Sequence, residues 1–152
     1  MANVSADMET IKSKFTGKWK LTKSEGLDDY LKSIDINFMA RKMAATASVT
    51  LEVSVDGNTI RVVTNGPKNS TEECQLNQEA DKKDPSGNDI TAVVTFENGK
   101  MVTKTRPRNN SKAKEATVTR EIIPGTGGKP DEMIMTVNNG VAEMTRYFAK
   151  QS

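Results

Sequence analysis

Polar and apolar residues alternate through the middle and end of the chain. In 49–55, Val49, Leu51, Val53 and Val55 alternate with Thr50, Glu52 and Ser54. A period of two puts one set on a buried face and the other in water, as in a half-buried strand. Ile90, Ala92, Val94 and Phe96 repeat the pattern in 90–96, as do Met133, Met135 and Val137 in 133–137. Segment 59–64 is rich in β-branched residues and also predicts a strand. Segments 69–76 and 78–82 are largely polar and read as strands only from their setting. Turn signals separate these runs: Asp56-Gly57-Asn58, Asn65-Gly66-Pro67, Asp84-Pro85-Ser86-Gly87, Glu97-Asn98-Gly99, the stretch from Pro124 to Pro130, and Asn138-Asn139-Gly140. Asn-Gly and Asp-Gly suit tight hairpins because those turns need positive φ.

One stretch breaks the alternation. From Leu27 to Ala47 the apolar residues Leu27, Tyr30, Leu31, Ile34, Phe38, Met39 and Met43 are spaced three and four apart. That spacing predicts one apolar helical face. Asp35-Ile36-Asn37 interrupts it, and Asn37 is a suitable N-cap for a second helix. The prediction is two short helices joined by a tight turn. Residues 1–14 read either as a turn capped by Ser5 and carrying Met8, Ile11 and Phe15, or as a loose segment. The layout is a strand near Trp19, a helical hairpin, then about nine strands with mostly short turns, which suggests a sandwich or barrel. Closing such a sheet removes its edges, and an early helical hairpin can cap one open end.

Strand register singles out two arginines. In 116–123 one face carries Ala116, Val118, Arg120 and Ile122. In the last run one face carries Ala142, Met144, Arg146 and Phe148. Both faces are apolar apart from the arginine. Arginine cannot shed its charge, and an unpaired buried charge costs several kcal/mol. Two readings follow. Either a bulge turns both arginines to water or to glutamates such as Glu121 and Glu143, or both meet a carboxylate inside a roomy barrel. Small barrels do hold single ligands.

Composition narrows the chemistry. The chain has 152 residues, enough for one domain. Its apolar fraction of 35% and aromatic fraction of 5% are thin for a solid core, which favours a barrel not filled by its own side chains. With no histidine, the Ser-His-Asp and Cys-His arrangements and His-ligated metal sites are excluded. Single Cys74 excludes an internal disulfide and a multi-cysteine zinc site. No Gly-rich phosphate loop is present, so an enzyme is not expected, and neither is a metal or a cofactor. Net charge is only +2, and the basic run from Lys100 to Lys114 has no aromatics for base stacking, so nucleic acid is not expected either. The first ten residues lack a basic and then apolar stretch, and no apolar run approaches the ~20 residues of a membrane span. A reduced cytoplasmic protein is expected.

Three further motifs carry a resemblance. The opening Phe15-x-Gly17-x-Trp19-Lys20-Leu21, then Glu25-x-Leu27-Asp28-Asp29-Tyr30-Leu31, then Phe38-x-x-Arg41-Lys42, resembles the cytosolic fatty-acid-binding proteins, a family that also includes retinoid carriers. Lys68-Asn69 with Thr71-Glu72, Leu76-x-Gln78-Glu79, and Asn139-Gly140-Val141 before Thr145-Arg146 are similar to its middle and last hairpin. The resemblance runs from about Phe15 to Lys150.

The resemblance implies a mainly β fold: a ten-stranded antiparallel up-and-down barrel capped by a helix-turn-helix lid, with a lipid cavity. It implies one domain over 15–152 after an extension at 1–14. It implies a monomeric carrier whose ligand, a fatty acid, a retinoic acid or another small apolar carboxylate, pairs with Arg120 and Arg146. It places Phe148, Leu27, Tyr30, Leu31, Ile36, Ala40 and Val49 around the ligand, the last six reading also as lid-to-barrel packing, with Phe15 and Trp19 structural. The family commonly has a tyrosine two residues after the last arginine, where this chain has Phe148, with Tyr147 one residue early. Extra length is expected around Pro107–Lys114 and Pro124–Pro130. Lys32, Arg41 and Lys42 lie on or beside the lid and are expected either to face water or to touch anionic membrane transiently. Cys74 is expected to be an inert strand residue, with no basic cluster around it.

Overall fold

The computed structural model describes residues 4–84 and 86–151. Residues 1–3 of the expected extension, Pro85 of the 84–87 turn, and Ser152 lie outside the described residues. Helix α1 (Val4–Phe15) precedes strand β1 (Gly17–Glu25), which leads into helices α2 (Leu27–Ser33) and α3 (Phe38–Thr46). Nine strands follow: β2 (Thr50–Asp56), β3 (Thr59–Asn65), β4 (Ser70–Cys74), β5 (Ala80–Lys83), β6 (Asp89–Glu97), β7 (Lys100–Pro107), β8 (Ala116–Ile123), β9 (Glu132–Asn138) and β10 (Glu143–Lys150).

The strands form one antiparallel sheet in the order β4-β3-β2-β1-β10-β9-β8-β7-β6-β5. Sequence neighbours pair, and β1 pairs with β10, so the sheet rolls into a nearly closed barrel. Among the described residues β4 and β5 do not pair. The seam between them is crossed where Leu76 bridges Val94 and the Asn77 N–H donates to the Val94 carbonyl at 2.8 Å. The 97–100 turn meets its chemical demand: Glu97 pairs with Lys100, and Asn98 and Gly99 sit at φ 52° and 79°, the double positive φ of a type I′ hairpin. The segments expected as strands at 69–76 and 78–82 shrink to 70–74 and 80–83. They border the seam, and each has a ladder on one side only.

The barrel has two unlike halves. At one end lie the starts of β1, β3, β7 and β9 and the ends of β6, β8 and β10. Trp19, Ile60, Met101, Met133 and Phe148 bury there, with Phe96 and Ile122 packed against them. Helix α1 plugs this end. Met8, Ile11 and Phe15 are 5%, 0% and 1% exposed, so the three apolar residues of the ambiguous N-terminal segment form a helical stripe in the core. Phe15 stands edge-on to Phe96 with centroids 6.5 Å apart, and the Trp19 indole N–H donates to the Phe15 carbonyl at 2.9 Å. Fully burying a side chain such as Ile11 or Phe15 contributes about 1.5–3 kcal/mol.

The lid covers the other end. Gly26, at φ 70°, makes the corner from β1 to α2, and a Cβ there would strike the Glu143 carbonyl on β10. Asn37 caps α3 as predicted, accepting the Ala40 N–H at 2.9 Å. Buried Asn139 latches α2 to the β9–β10 turn. Its Nδ2 donates to Ser33 Oγ at 2.9 Å, and its Oδ1 accepts the Val141 and Ala142 N–H groups. The apolar face spaced from Leu27 to Met43 is largely not covered. Only Tyr30 is buried, and Phe38, Met39 and Met43 are 56%, 68% and 62% exposed. Spacing marks the apolar stripe, but α3 leans chiefly on α2 and has no sheet beneath that stripe.

Candidate functional site

The lidded half is hollow because its side chains are small. Ala92 on β6, Thr103 and Thr105 on β7, and Ala116 on β8 occupy interior positions that Phe96, Met101 and Ile122 fill at the packed end. A cavity of about 270 Å³ results. Ile90, Val118, Met135, Val137 and Met144 complete its apolar wall, and Tyr30 of α2 and Ile34 just after it roof it. Burial raises the Tyr30 phenol above its ordinary value, and Asp84 adds to the rise. The cavity continues under α2 into a cleft lined by Ile34, Ile36, Asp84, Ser86, Lys112 and Lys114. There the Ser86 hydroxyl donates to the Ile34 carbonyl at 3.2 Å, and the enlarged β7–β8 loop forms one side of the mouth.

Arg120 lines the cavity. Pairing in the sheet puts Met101, Arg120, Met135, Arg146 and Ser24 in one lateral row across β7, β8, β9, β10 and β1. The arginines therefore flank Met135 from strands two apart, with Cα atoms roughly 10 Å apart at ordinary strand spacing. Arg146 alternates with Met144, on the cavity wall, and Phe148, in the core, which sets all three on the interior face of β10. Its Nε donates to Ser24 Oγ at 3.0 Å, and Arg120 Nη1 reaches Met133 Sδ at 3.8 Å.

Among the described residues no carboxylate lies within 4.0 Å of either guanidinium. The nearby strand glutamates are engaged elsewhere: Glu121 with Lys100 at 3.7 Å, and Glu143 with Asn138 Nδ2 at 3.1 Å. Burial pulls the Arg120 guanidinium below its ordinary value, with Glu72 and Cys74 opposing, and burial pulls Arg146 down too. Both stay cationic, since an arginine holds its proton in any protein setting. The arrangement is a half-hollow chamber with Arg120 on its wall and Arg146 in the same interior row, and among the described residues neither guanidinium has a carboxylate within 4.0 Å.

The other expected positions are dispersed. Tyr30 is on the cavity. Val49 and Phe148 are in the packed core, at 7% and 1% exposure. Ile36 is at the mouth, and Leu27 lines a separate outer cleft with Leu21 and Ala44. Leu31 and Ala40 are half-buried in the lid. Tyr147 points outward, its hydroxyl on Glu25 and the Lys23 ammonium 4.5 Å from its ring centre. Arg41 pairs with Asp28 at 2.9 Å, while the Lys42 ammonium sits 4.9 Å from the exposed Phe38 ring. Among the described residues half of the basic run is ion-paired, with Lys100 on Glu121 at 3.7 Å, Arg106 on Glu79 at 2.9 Å and Arg108 within 4.0 Å of Asp81 and Asp89.

Five charged cavity residues escape the sequence reading: Lys83, Asp84 and Lys114, and, facing the cavity from their strands, Glu72 on β4 and Lys82 on β5. Their strands are too polar to betray an inner face. The signal lies in the partners: Cys74 and Glu72 alternate opposite Ile60 and Val62, and Ala80 and Lys82 opposite Ala92 and Ile90. The expectation that Cys74 lacks basic neighbours is corrected, since Lys82 and Arg120 both act on it. Burial raises its thiol and Glu72 adds to the rise, while Lys82 and Arg120 oppose it.

The sequence model of the Lipocalin / cytosolic fatty-acid binding protein family matches residues 16–146. Fatty acid-binding protein homolog 6 of Caenorhabditis elegans is 32% identical over 90% of this chain and 97% of that protein. Human fatty acid-binding protein 9 is 33% identical over 90% of this chain and 96% of its own length. The crystal structure of apo lipid binding protein 8 of Caenorhabditis elegans superposes with a TM-score of 0.81 at 27% identity, covering 91% of this chain and 96% of that one.

Proposed function

Because the chain belongs to the lipocalin / cytosolic fatty-acid-binding protein family, we propose that it carries a long-chain fatty acid, or a similar apolar carboxylate, without transforming it. The observation that carries this reading is the interior row in which Arg120 and Arg146 flank Met135 with no carboxylate partner. A ligand carboxylate supplies the missing negative charge, and charge-assisted hydrogen bonds of about 1.5–3 kcal/mol each hold it. The tail then runs toward α2, through the cavity and into the mouth. Each buried CH₂ adds about 0.8 kcal/mol. A volume of about 270 Å³ is at the small end for a ligand pocket, so a long chain also fills the mouth.

The family's description as cytosolic supports a cytoplasmic carrier. Among the described residues no helix is long and apolar enough to cross a membrane. Exposed Phe38, Met39 and Met43, with Lys42 beside them, suit a transient seat on an anionic bilayer during ligand transfer.

The test compares palmitic acid with its methyl ester by competitive displacement. Arg146→Leu is expected to weaken the acid roughly ten- to hundredfold and the ester less than about threefold, since only the acid offers a charge. Equal loss for both ligands refutes the anchoring role.

A further inference from the structure

We propose that the chamber also reads a second polar group on its ligand, an alcohol carried along the apolar chain and held between Glu72 and Lys82. This rests on the carrier reading above and adds a specificity that two arginines alone do not supply.

Glu72, which stays exposed, and Lys82, which is half-buried, line the cavity from the strand faces that also carry interior apolar neighbours. Cys74, on Glu72's face of β4, pairs with Ile60, which is 0% exposed. Ala80, on Lys82's face of β5, pairs with Ala92, which is 3% exposed. The two charged side chains therefore line one cavity from opposite sides of the unpaired β4–β5 seam; Lys83, held by Asp89 at 2.7 Å, and Asp84 and Lys114, which also line the mouth, complete its charged lining. Glu72 and Lys82 both act on the Cys74 thiol, in opposite senses, as expected for two charges on one stretch of wall. Among the described residues neither makes an ion pair within 4.0 Å or a side-chain hydrogen bond. The carboxylate keeps its acceptors and the ammonium keeps its donors.

An unbranched saturated chain threading past this pair displaces water and returns no hydrogen bond, which costs affinity. Charge selects among the groups that can repay it. A second carboxylate meets Lys82 but is repelled by Glu72. An amine meets Glu72 but is repelled by Lys82 and Arg120. A hydroxyl donates to Glu72 and accepts from Lys82 with no net charge to desolvate. The class of ligand is therefore a hydroxylated long-chain carboxylic acid, with its carboxylate at the arginine row and its alcohol at the seam.

The experiment measures calorimetric affinities for stearic acid and for a series of hydroxystearic acids with the hydroxyl at successive mid-chain carbons. Proteins are the wild type, Glu72→Leu, Lys82→Leu and the double variant. Wild type is expected to bind at least one hydroxy acid about tenfold or more tighter than stearic acid, and the double variant to bring that ratio to near one. Each single variant is expected to lower the ratio, and these report the same quantity if the double variant does not fold. The inference is overturned if no hydroxy acid exceeds stearic acid by more than about threefold in wild type, or if the preference survives in the variants. If stearic acid binds well without any such preference, the carrier reading stands alone. If none of these acids binds, both fall.

Discussion

Replacing Arg120 by methionine is expected to stabilise the ligand-free protein while it damages binding. Arg120 is half-buried on the chamber wall, between Met101 and Met135 in the row, and among the described residues its only side-chain contact of hydrogen-bond type is the Met133 sulfur at 3.8 Å, with the Glu72 charge acting on it from beyond 4.0 Å. A fully desolvated, unpaired ion costs several kcal/mol after relaxation. The guanidinium here still meets cavity solvent, so the penalty carried by the empty protein is discounted to about 1–2 kcal/mol. Methionine is long, flexible and apolar, and fills the place between two other methionines without strain. Urea denaturation of delipidated protein should show a higher midpoint with an unchanged slope for Arg120→Met, equivalent to about 1–2 kcal/mol. The same variant should lose preference for palmitic acid over its methyl ester. A drop in stability of about 1 kcal/mol or more would refute the reasoning, because it would mean that the guanidinium already has its counter-charge without ligand.

Two further outcomes follow from the packed end and from the lid. Ile11→Ala removes three buried carbons from a side chain with no exposed surface, and should lower stability by about 2–4 kcal/mol in urea; a loss below about 0.5 kcal/mol would mean that α1 does not plug the barrel. Met39→Ser with Phe38→Ser should slow transfer of a bound fluorescent fatty acid to anionic vesicles several-fold, and an unchanged rate would remove α3 from the transfer step.

Much of this molecule is legible in the chain because a half-buried strand writes its two faces into alternate residues. Val49–Val55 and 90–96 read correctly for that reason, and Arg120 and Arg146 fall on interior faces by the same count. Tyr147 and Phe148 divide as alternation requires, one outward and one into the core. The failures share a cause: the pattern records which face is apolar, not what lies against it. Phe38, Met39 and Met43 have the spacing of a buried stripe yet face solvent, whereas Met8, Ile11 and Phe15 are deep in the core. Strands β4 and β5 lack a legible pattern because they flank the seam. Glu72 and Lys82, which sit on them, become visible only through their partners Val62 and Ile90.

The central claim is that the ligand's carboxylate is held by the two interior arginines, and its ionisation tests this most directly. Nearby opposite charge lowers a carboxyl pKa by roughly 1–3 units, whereas burial without a cation raises it. Palmitic acid labelled with ¹³C at the carboxyl and bound to the wild-type protein can be titrated by following its chemical shift. The bound carboxyl should stay ionised well below the ordinary range of about 4–5, down to pH 3 or to acid unfolding, and Arg146→Leu should move its midpoint upward. A midpoint in or above the ordinary range, unmoved by Arg146→Leu, would contradict the account, because the head group would then lie in solvent or in an uncharged part of the chamber.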